Sequence, residues 1–255
     1  MKTFFAALAL AGCALPALAQ QTGVTAGPVD PLQLQDRLTG DLGAGVFSVD
    51  RNGPDPHRRD QVLPYAYFDY GRFFARLDTF GVKTVRVGYG YLELAARATS
   101  DGFDAQRGVE RRSHALPLGI GTYQETPVGA FFFNVFRDFN KSHGTLAEAM
   151  YAAQFTVGPV NFYPQAGVQY RSGSYNDYFV GISPSEAAAS GLRQYSAGAS
   201  TSPMLGLAAD VPLTGDWHLN LQWYRKWLDN ALADSPLVRR HTDDTAILAV
   251  TYHFK

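Results

Sequence analysis

Residues 204–228 read MLGLAADVPLTGDWHLNLQWYRKWL, and the way this stretch alternates decides the fold. Leu205, Leu207, Ala209, Val211 and Leu213 share one face, and Met204, Gly206, Ala208, Asp210 and Pro212 share the other. After the turn Thr214-Gly215-Asp216, Trp217, Leu219, Leu221, Trp223 and Trp227 fall together, interrupted by Arg225. His218, Asn220, Gln222, Tyr224 and Lys226 fall opposite. Strands turn successive side chains to opposite faces, so this is a two-faced hairpin. An apolar face with Trp near both ends suits a strand crossing a bilayer, where aromatic girdles mark the two interfaces. A soluble β-sandwich also alternates, so the hairpin alone leaves both readings open.

The N-terminus favours the membrane reading. Lys2, the apolar run Phe4–Leu10 and the small-residue site Ala17-Leu18-Ala19 compose an export signal over residues 1–19. Leu10-Ala11-Gly12-Cys13 offers an alternative, lipidation at Cys13, with a shorter apolar run before it. Cys13 is the single cysteine, so cleavage after Ala19 leaves neither a disulfide nor a thiolate metal site. The net charge of −1 and the lack of a basic patch point away from nucleic acid. Beyond the signal, nothing reaches the roughly 18 apolar residues of a membrane helix.

Residues 20–41 read as a polar, Gly- and Pro-rich lead, and residues 42–255 as a single barrel domain. The expected strands are Leu42–Asp50, Val62–Tyr70, Arg72–Thr84, Val85–Ala98, His114–Tyr123, Val128–Asp138, Leu146–Val157, Val160–Arg171, Asn176–Ile182, the two arms of the hairpin, and Thr245–Phe254. Arg51–Asp60 and Thr99–Arg112 read as loops, and Gly88 and Gly90 as a turn or bulge. The count is twelve; merging strands gives ten, and bacterial barrels carry even numbers. In Leu146–Arg171, Ala147, Ala149, Tyr151, Ala166, Val168 and Tyr170 take the lipid face. A charge there costs roughly 2–4 kcal/mol near the midplane, so Glu148 and Arg171 turn inward. Asp210 and Lys226 join them, with Arg171 and Lys226 expected to pair with Glu148 or Asp210 across the lumen. Pro164 lacks a ladder donor, which predicts a bulge.

Several runs resemble a known family. They are Tyr178-Phe179-Val180-Gly181-Ile182-Ser183-Pro184-Ser185-Glu186-Ala187-Ala188-Ala189-Ser190-Gly191-Leu192 with Tyr195 and Gly198, Asp234-Ser235-Pro236-Leu237-Val238, Leu63-Pro64-Tyr65 with Phe68-Asp69-Tyr70, and Arg72-Phe73-Phe74. Together with the closing strand that ends in Phe254, they resemble the MipA/OmpV outer-membrane family over residues 42–254. That resemblance implies an antiparallel barrel in the outer membrane of a Gram-negative bacterium, in contact with outer-membrane lipid. It also implies a scaffold role between a murein transglycosylase and a murein synthase.

The most specific run has its own physics. Ser183 with Glu186 forms a capping box, Pro184 suits the first helical position, and Gly191 suits the C-terminal cap. A short loop helix follows, and Ser183, Pro184, Glu186, Gly191 and Tyr195 are candidates for an interaction element; loop ordering alone also accounts for them. Ser113-His114 and Ser142-His143 are the candidate pairs for a lipid hydrolase, but neighbours on a strand face opposite ways, so neither is a ready dyad. No histidine spacing suggests a metal, and no phosphate loop suggests a cofactor. The expectation is a non-enzymatic scaffold barrel, with a small solute channel as the alternative.

Overall fold

The computed structural model describes residues 34, 36–50 and 58–255. The expected signal at 1–19, the choice between Cys13 and Ala19, and much of the 20–41 lead lie outside the described residues. The rest is a closed antiparallel barrel. Its strands are β1 Leu38–Asp50, β2 Arg58–Tyr70, β3 Phe73–Arg76, β4 Thr79–Val87, β5 Gly90–Arg97, β6 Leu118–Thr126 and β7 Gly129–Arg137. There follow β8 Thr145–Ala152, β9 Phe155–Val157, β10 Val160–Arg171, β11 Ser200–Thr214, β12 Trp217–Trp227 and β13 Thr242–Phe254. Each barrel strand pairs with its sequence neighbour, and β13 returns to β1 from Gly40–Phe254 to Val49–Thr245. The strand order closes on itself, as a bilayer interior demands of a sheet, although short β3 pairs only with Tyr67–Tyr70 of β2. Among the described residues no helix is long and apolar enough to cross a membrane.

β8 and β9 both pair with the same side of β10 in one unbroken register, so thirteen segments make twelve barrel strands. The gap between them faces Pro164, which has no N–H to give; its carbonyl still accepts from Ala153 N at 3.0 Å. The expected bulge at Pro164 is therefore a break in the ladder without a register shift. A bulge does occur in β4, between Lys83 and Arg86.

Twelve strands are present, but not the twelve read from the sequence. Residues 176–182 are not a strand; most of them belong to helix α1, Gly173–Val180. Ser172 caps it by accepting from Tyr175 N, and Tyr175 and Phe179, four apart, bury one face. Conversely, Arg72–Thr84 is two strands, β3 and β4, reversed at Leu77-Asp78. Leu77 adopts φ 57° without being glycine or asparagine, so no ordinary turn residue marks the reversal. Boundaries also move: β1 starts at Leu38, β2 at Arg58, within the expected Arg51–Asp60 loop, β6 at Leu118, β11 at Ser200 and β13 at Thr242.

The outward face is apolar and exposed, with Val46, Leu94, Ile120, Phe133, Leu205, Leu207, Leu221, Leu248 and Val250 along it. That inverts a soluble protein and fits a wall whose solvent is lipid. Trp217 packs edge-on against Tyr252 (5.5 Å), and Tyr252 against Phe254 (4.9 Å), near one end. Arg225, which interrupts the apolar face of β12, is bound by Asp244 of β13 through two hydrogen bonds of 2.8 and 3.0 Å.

The two ends differ. One carries five two-residue turns, Gly71-Arg72, Gly88-Tyr89, Pro127-Val128, Gly158-Pro159 and Gly215-Asp216, and there Gly40 of β1 pairs with Phe254. The other carries the Leu77-Asp78 turn and the connections 98–117, 138–144, 172–199 and 228–241. Short turns face the periplasm in such barrels and longer loops face outward. The signature loop, whose side the sequence left open, therefore lies at the outer end.

Candidate functional site

Two arrangements qualify as candidate sites, a cap of packed loops and a polar lumen beneath it. In the cap, helix α2, Pro184–Ser190, starts at Ser183 and ends at Gly191, whose φ of 73° is left-handed. The capping box is present, with Glu186 N donating to Ser183 Oγ and Ser183 N donating to Glu186 Oε2. The other carboxylate oxygen, Oε1, leaves the helix altogether. It accepts from Glu110 N (2.9 Å) and from Arg112 Nη2 (2.7 Å), tying the signature loop to 98–117. Burial opposes the Glu186 charge, but the Ser183 and Glu110 N–H groups and the Arg112 guanidinium outweigh it and hold the carboxyl at about 2.

The third loop closes on the same place. Tyr195 bridges Ile182 through the backbone, and its hydroxyl donates to Ala231 O in helix α3, Asn230–Ala233. Ser235 Oγ donates to Val180 O (2.6 Å), and Val109, Ile182 and Leu237 pack as one buried cluster. Gly108 lies so close to α2 that an added Cβ would meet the Ala189 carbonyl carbon at 2.6 Å. The signature residues thus join three loops, and the Thr99–Arg112 loop, which shows no motif in sequence, supplies their partner Arg112.

Below the cap runs a chain of paired charges. Arg97 grips Glu148 through both terminal nitrogens (3.0 and 3.2 Å), with Asp78 3.7 Å from its Nε. Gln169 donates to Glu148 (3.3 Å) and accepts from Arg171 (3.0 Å) and Lys226 (3.3 Å). Arg171 continues to Asp101 (3.2 Å), whose other oxygen accepts from Tyr175 Oη of α1 (2.9 Å). Lys226 reaches Asp243 at 3.4 Å. Burial works against the charge of loop residue Asp101, yet Arg171 and Lys226 hold its carboxyl below the ordinary range. Beside the Leu77-Asp78 turn, Arg76 lies between the rings of Phe74 (4.2 Å) and Tyr123 (4.6 Å) and donates to Glu93 at 3.0 Å.

Glu148, Arg171 and Lys226 come together, but not by the expected pairing. Their ionic partners are Arg97 of β5, Asp101 of the 98–117 connection and Asp243 of β13, the last directly opposite Lys226 in the ladder. Asp210 stands apart, 2.8 Å from His218 Nδ1 of β12; beside it His253 Nδ1 lies 3.1 Å from Asp41, and the two imidazoles are 5.2 Å apart. Glu93 and Arg97 alternate with Leu92 and Leu94 in β5, so the period of two could have found them. Asp101 and Arg112 sit in an irregular loop with no such signal.

The serine–histidine pairs have other partners. His114 Nδ1 accepts from Gly102 N (3.1 Å), and Ser142 Oγ donates to Asp138 (2.8 Å) in a turn where His143 has φ 50°. Among the described residues no group of three or more His, Cys, Asp or Glu side chains is arranged to hold a metal ion.

Comparison with known proteins agrees with this architecture. Residues 42–254 match the family described as MltA-interacting protein MipA. The MltA-interacting protein of Escherichia coli strain K12 is 28% identical over 221 residues, spanning 84% of this chain and 89% of its own length. Outer membrane protein Omp26La of Vibrio anguillarum and outer membrane protein OmpV of Vibrio cholerae are each 26% identical over 157 residues, about 60% of either chain.

Proposed function

Because the chain belongs to the MltA-interacting protein MipA family, we propose that this outer-membrane barrel is a non-enzymatic scaffold. In this reading its periplasmic rim engages a murein transglycosylase and, through it or beside it, a murein synthase. The occupied lumen is the observation that carries the reading. The paired charges from Arg97 to Lys226 and the loop cap held by Glu186 oppose a continuous aqueous path. With the interior filled, function falls to the surfaces, and murein enzymes work on the periplasmic side. There the turn residues Tyr89 and Val128 are 55% and 69% exposed, apolar tips available to a partner. The element of Ser183, Pro184, Glu186, Gly191 and Tyr195 then acts as a closure of the outer mouth and not as the murein-side contact. The Escherichia coli relative, named MltA-interacting protein and similar over most of both chains, supports a transglycosylase partner.

Crosslinking in intact envelopes, followed by capture of the tagged barrel and mass spectrometry, tests this. A murein transglycosylase is expected among the captured proteins, and its recovery should fall when Tyr89→Glu and Val128→Glu are combined. Capture that returns no murein hydrolase or synthase would reject the scaffold reading.

A further inference from the structure

The outer wall carries a groove that the scaffold reading does not use. On β8 the outward residues Ala147 and Ala149 are small, while their cross-strand neighbours are large. Ala147 sits between Val135 and Tyr170, and Ala149 between Phe133 and Val168. The resulting depression has a volume of about 430 Å³ and extends to Ile120 and Leu92. Its lining is apolar and it opens onto the lipid-facing wall, so a hydrocarbon chain is the chemistry that fills it.

The groove has a polar upper margin. Two residues further along the same face, at the long-loop end, Arg137 pairs with Thr145, and Arg137 Nη1 donates to its hydroxyl at 3.2 Å. Arg137 is exposed, and among the described residues neither it nor nearby Lys141 makes an ion pair. The adjacent carboxylate, Asp138, is buried and committed to the N–H groups of Asn140, Lys141 and Ser142 and to the Ser142 hydroxyl. Arg225, also outward, is by contrast bound by Asp244. An outward arginine without a carboxylate, above an acyl-sized groove, matches an anionic headgroup on an acyl chain. A guanidinium binds phosphate oxygens in pairs, which favours phosphate over other anions.

We propose that this wall binds a phosphorylated glycolipid of the outer leaflet, the lipid A class, with an acyl chain over Ala147 and Ala149 and a phosphate at Arg137. The leaflet follows from the end at which Arg137 lies, the one carrying the long loops. Thr145, opposite Arg137, and Thr201, in register with Tyr170 and Ala147, add hydroxyls along the same face for the sugar.

The test uses the full purified barrel, stripped of lipid and placed in phosphatidylcholine nanodiscs, with native mass spectrometry counting retained lipid. The probes are diphosphoryl lipid A, dephosphorylated lipid A and phosphatidylglycerol. Diphosphoryl lipid A should be retained at least about tenfold better than either of the others, and Arg137→Ala should remove that advantage, with Arg137→Lys restoring part of it. Ala149→Phe, which fills the groove without adding a polar group, should weaken retention of diphosphoryl lipid A. Heat-dependent gel migration shows that each variant remains a folded barrel. Equal retention by Arg137→Ala and the parent, or equal retention of phosphatidylglycerol, would overturn the proposal, as would Ala149→Phe without effect.

Discussion

Single residues in this barrel obey opposite rules on its two faces. Leu221 lies mid-strand on the outer wall between Trp217 and Trp227, and Gln222, one residue on, donates to Tyr65 Oη inside at 3.1 Å. Leu221→Arg should cost roughly 2–4 kcal/mol at lipid-exposed depth. Gln222→Glu should cost less, since a polar group stays where polar groups belong. Urea unfolding in phospholipid vesicles, followed by tryptophan fluorescence, would separate the two; equal damage would mean that the faces are misassigned. Inside, Glu148 and Arg97 hold each other with side chains 12% and 8% exposed, so removing one strands the other. Glu148→Ala should cost about 3 kcal/mol, while Arg97→Met with Glu148→Met together should cost less, because no buried charge is left alone. A double variant worse than the single one would show that the pair contributes more than it costs to bury.

At the scale of elements, helix α2 is the piece whose stability depends on identifiable groups. Ser183→Ala removes the cap and should weaken α2 by about 0.5–2 kcal/mol, read as faster hydrogen exchange across the helix while the barrel stays folded. Its pH dependence follows from Glu186, whose carboxyl is lowered from an ordinary 4.5 to about 2. A lowered carboxylate contributes fully above its unfolded value. Protection of α2 should therefore hold from pH 7 down to about 4.5 and decline as the pH falls toward 2. Glu186→Gln should show reduced protection at neutral pH and little further change on acidification. A profile in the parent that is flat to pH 2 would mean that Arg112 and the backbone donors do not stabilise the charge. Helix α1 shows the limit of pattern reading at this scale: Tyr178-Phe179-Val180 has strand-forming composition, yet the Ser172 cap and the buried Tyr175–Phe179 spacing win.

For the whole molecule, the consequence of closure is electrical. Twelve strands fall between the small barrels filled by side chains and the wide ones that conduct, so the interior decides. Here the interior holds paired charges and the outer mouth holds three joined loops. Purified protein in a planar bilayer should give no steady single-channel conductance. Large persistent steps would move the preferred reading from scaffold to channel. The same closed wall should keep the barrel compact on unheated gels and shift it on boiling.

The sequence by itself determined the kind of fold, because a period of two carries face assignment locally: each Leu, Trp or Val between polar neighbours declares its side without reference to other strands. It also determined the α2 cap, because Ser183, Glu186 and Gly191 act within one turn of each other. What crosses between elements was decided only by tertiary structure. The twelve-strand count came out right although residues 176–182 are largely helical and Arg72–Thr84 holds two strands, since a turn with φ 57° at Leu77 has no residue signal. The partners of Glu148, Arg171, Lys226 and Glu186 are likewise set by how the closed sheet and the inward loops bring Arg97, Asp101, Asp243 and Arg112 beside them. Charge pairing acts over a few ångströms in space, and residues 51 to 74 positions apart, such as Arg97–Glu148 and Arg112–Glu186, meet only once the barrel has closed.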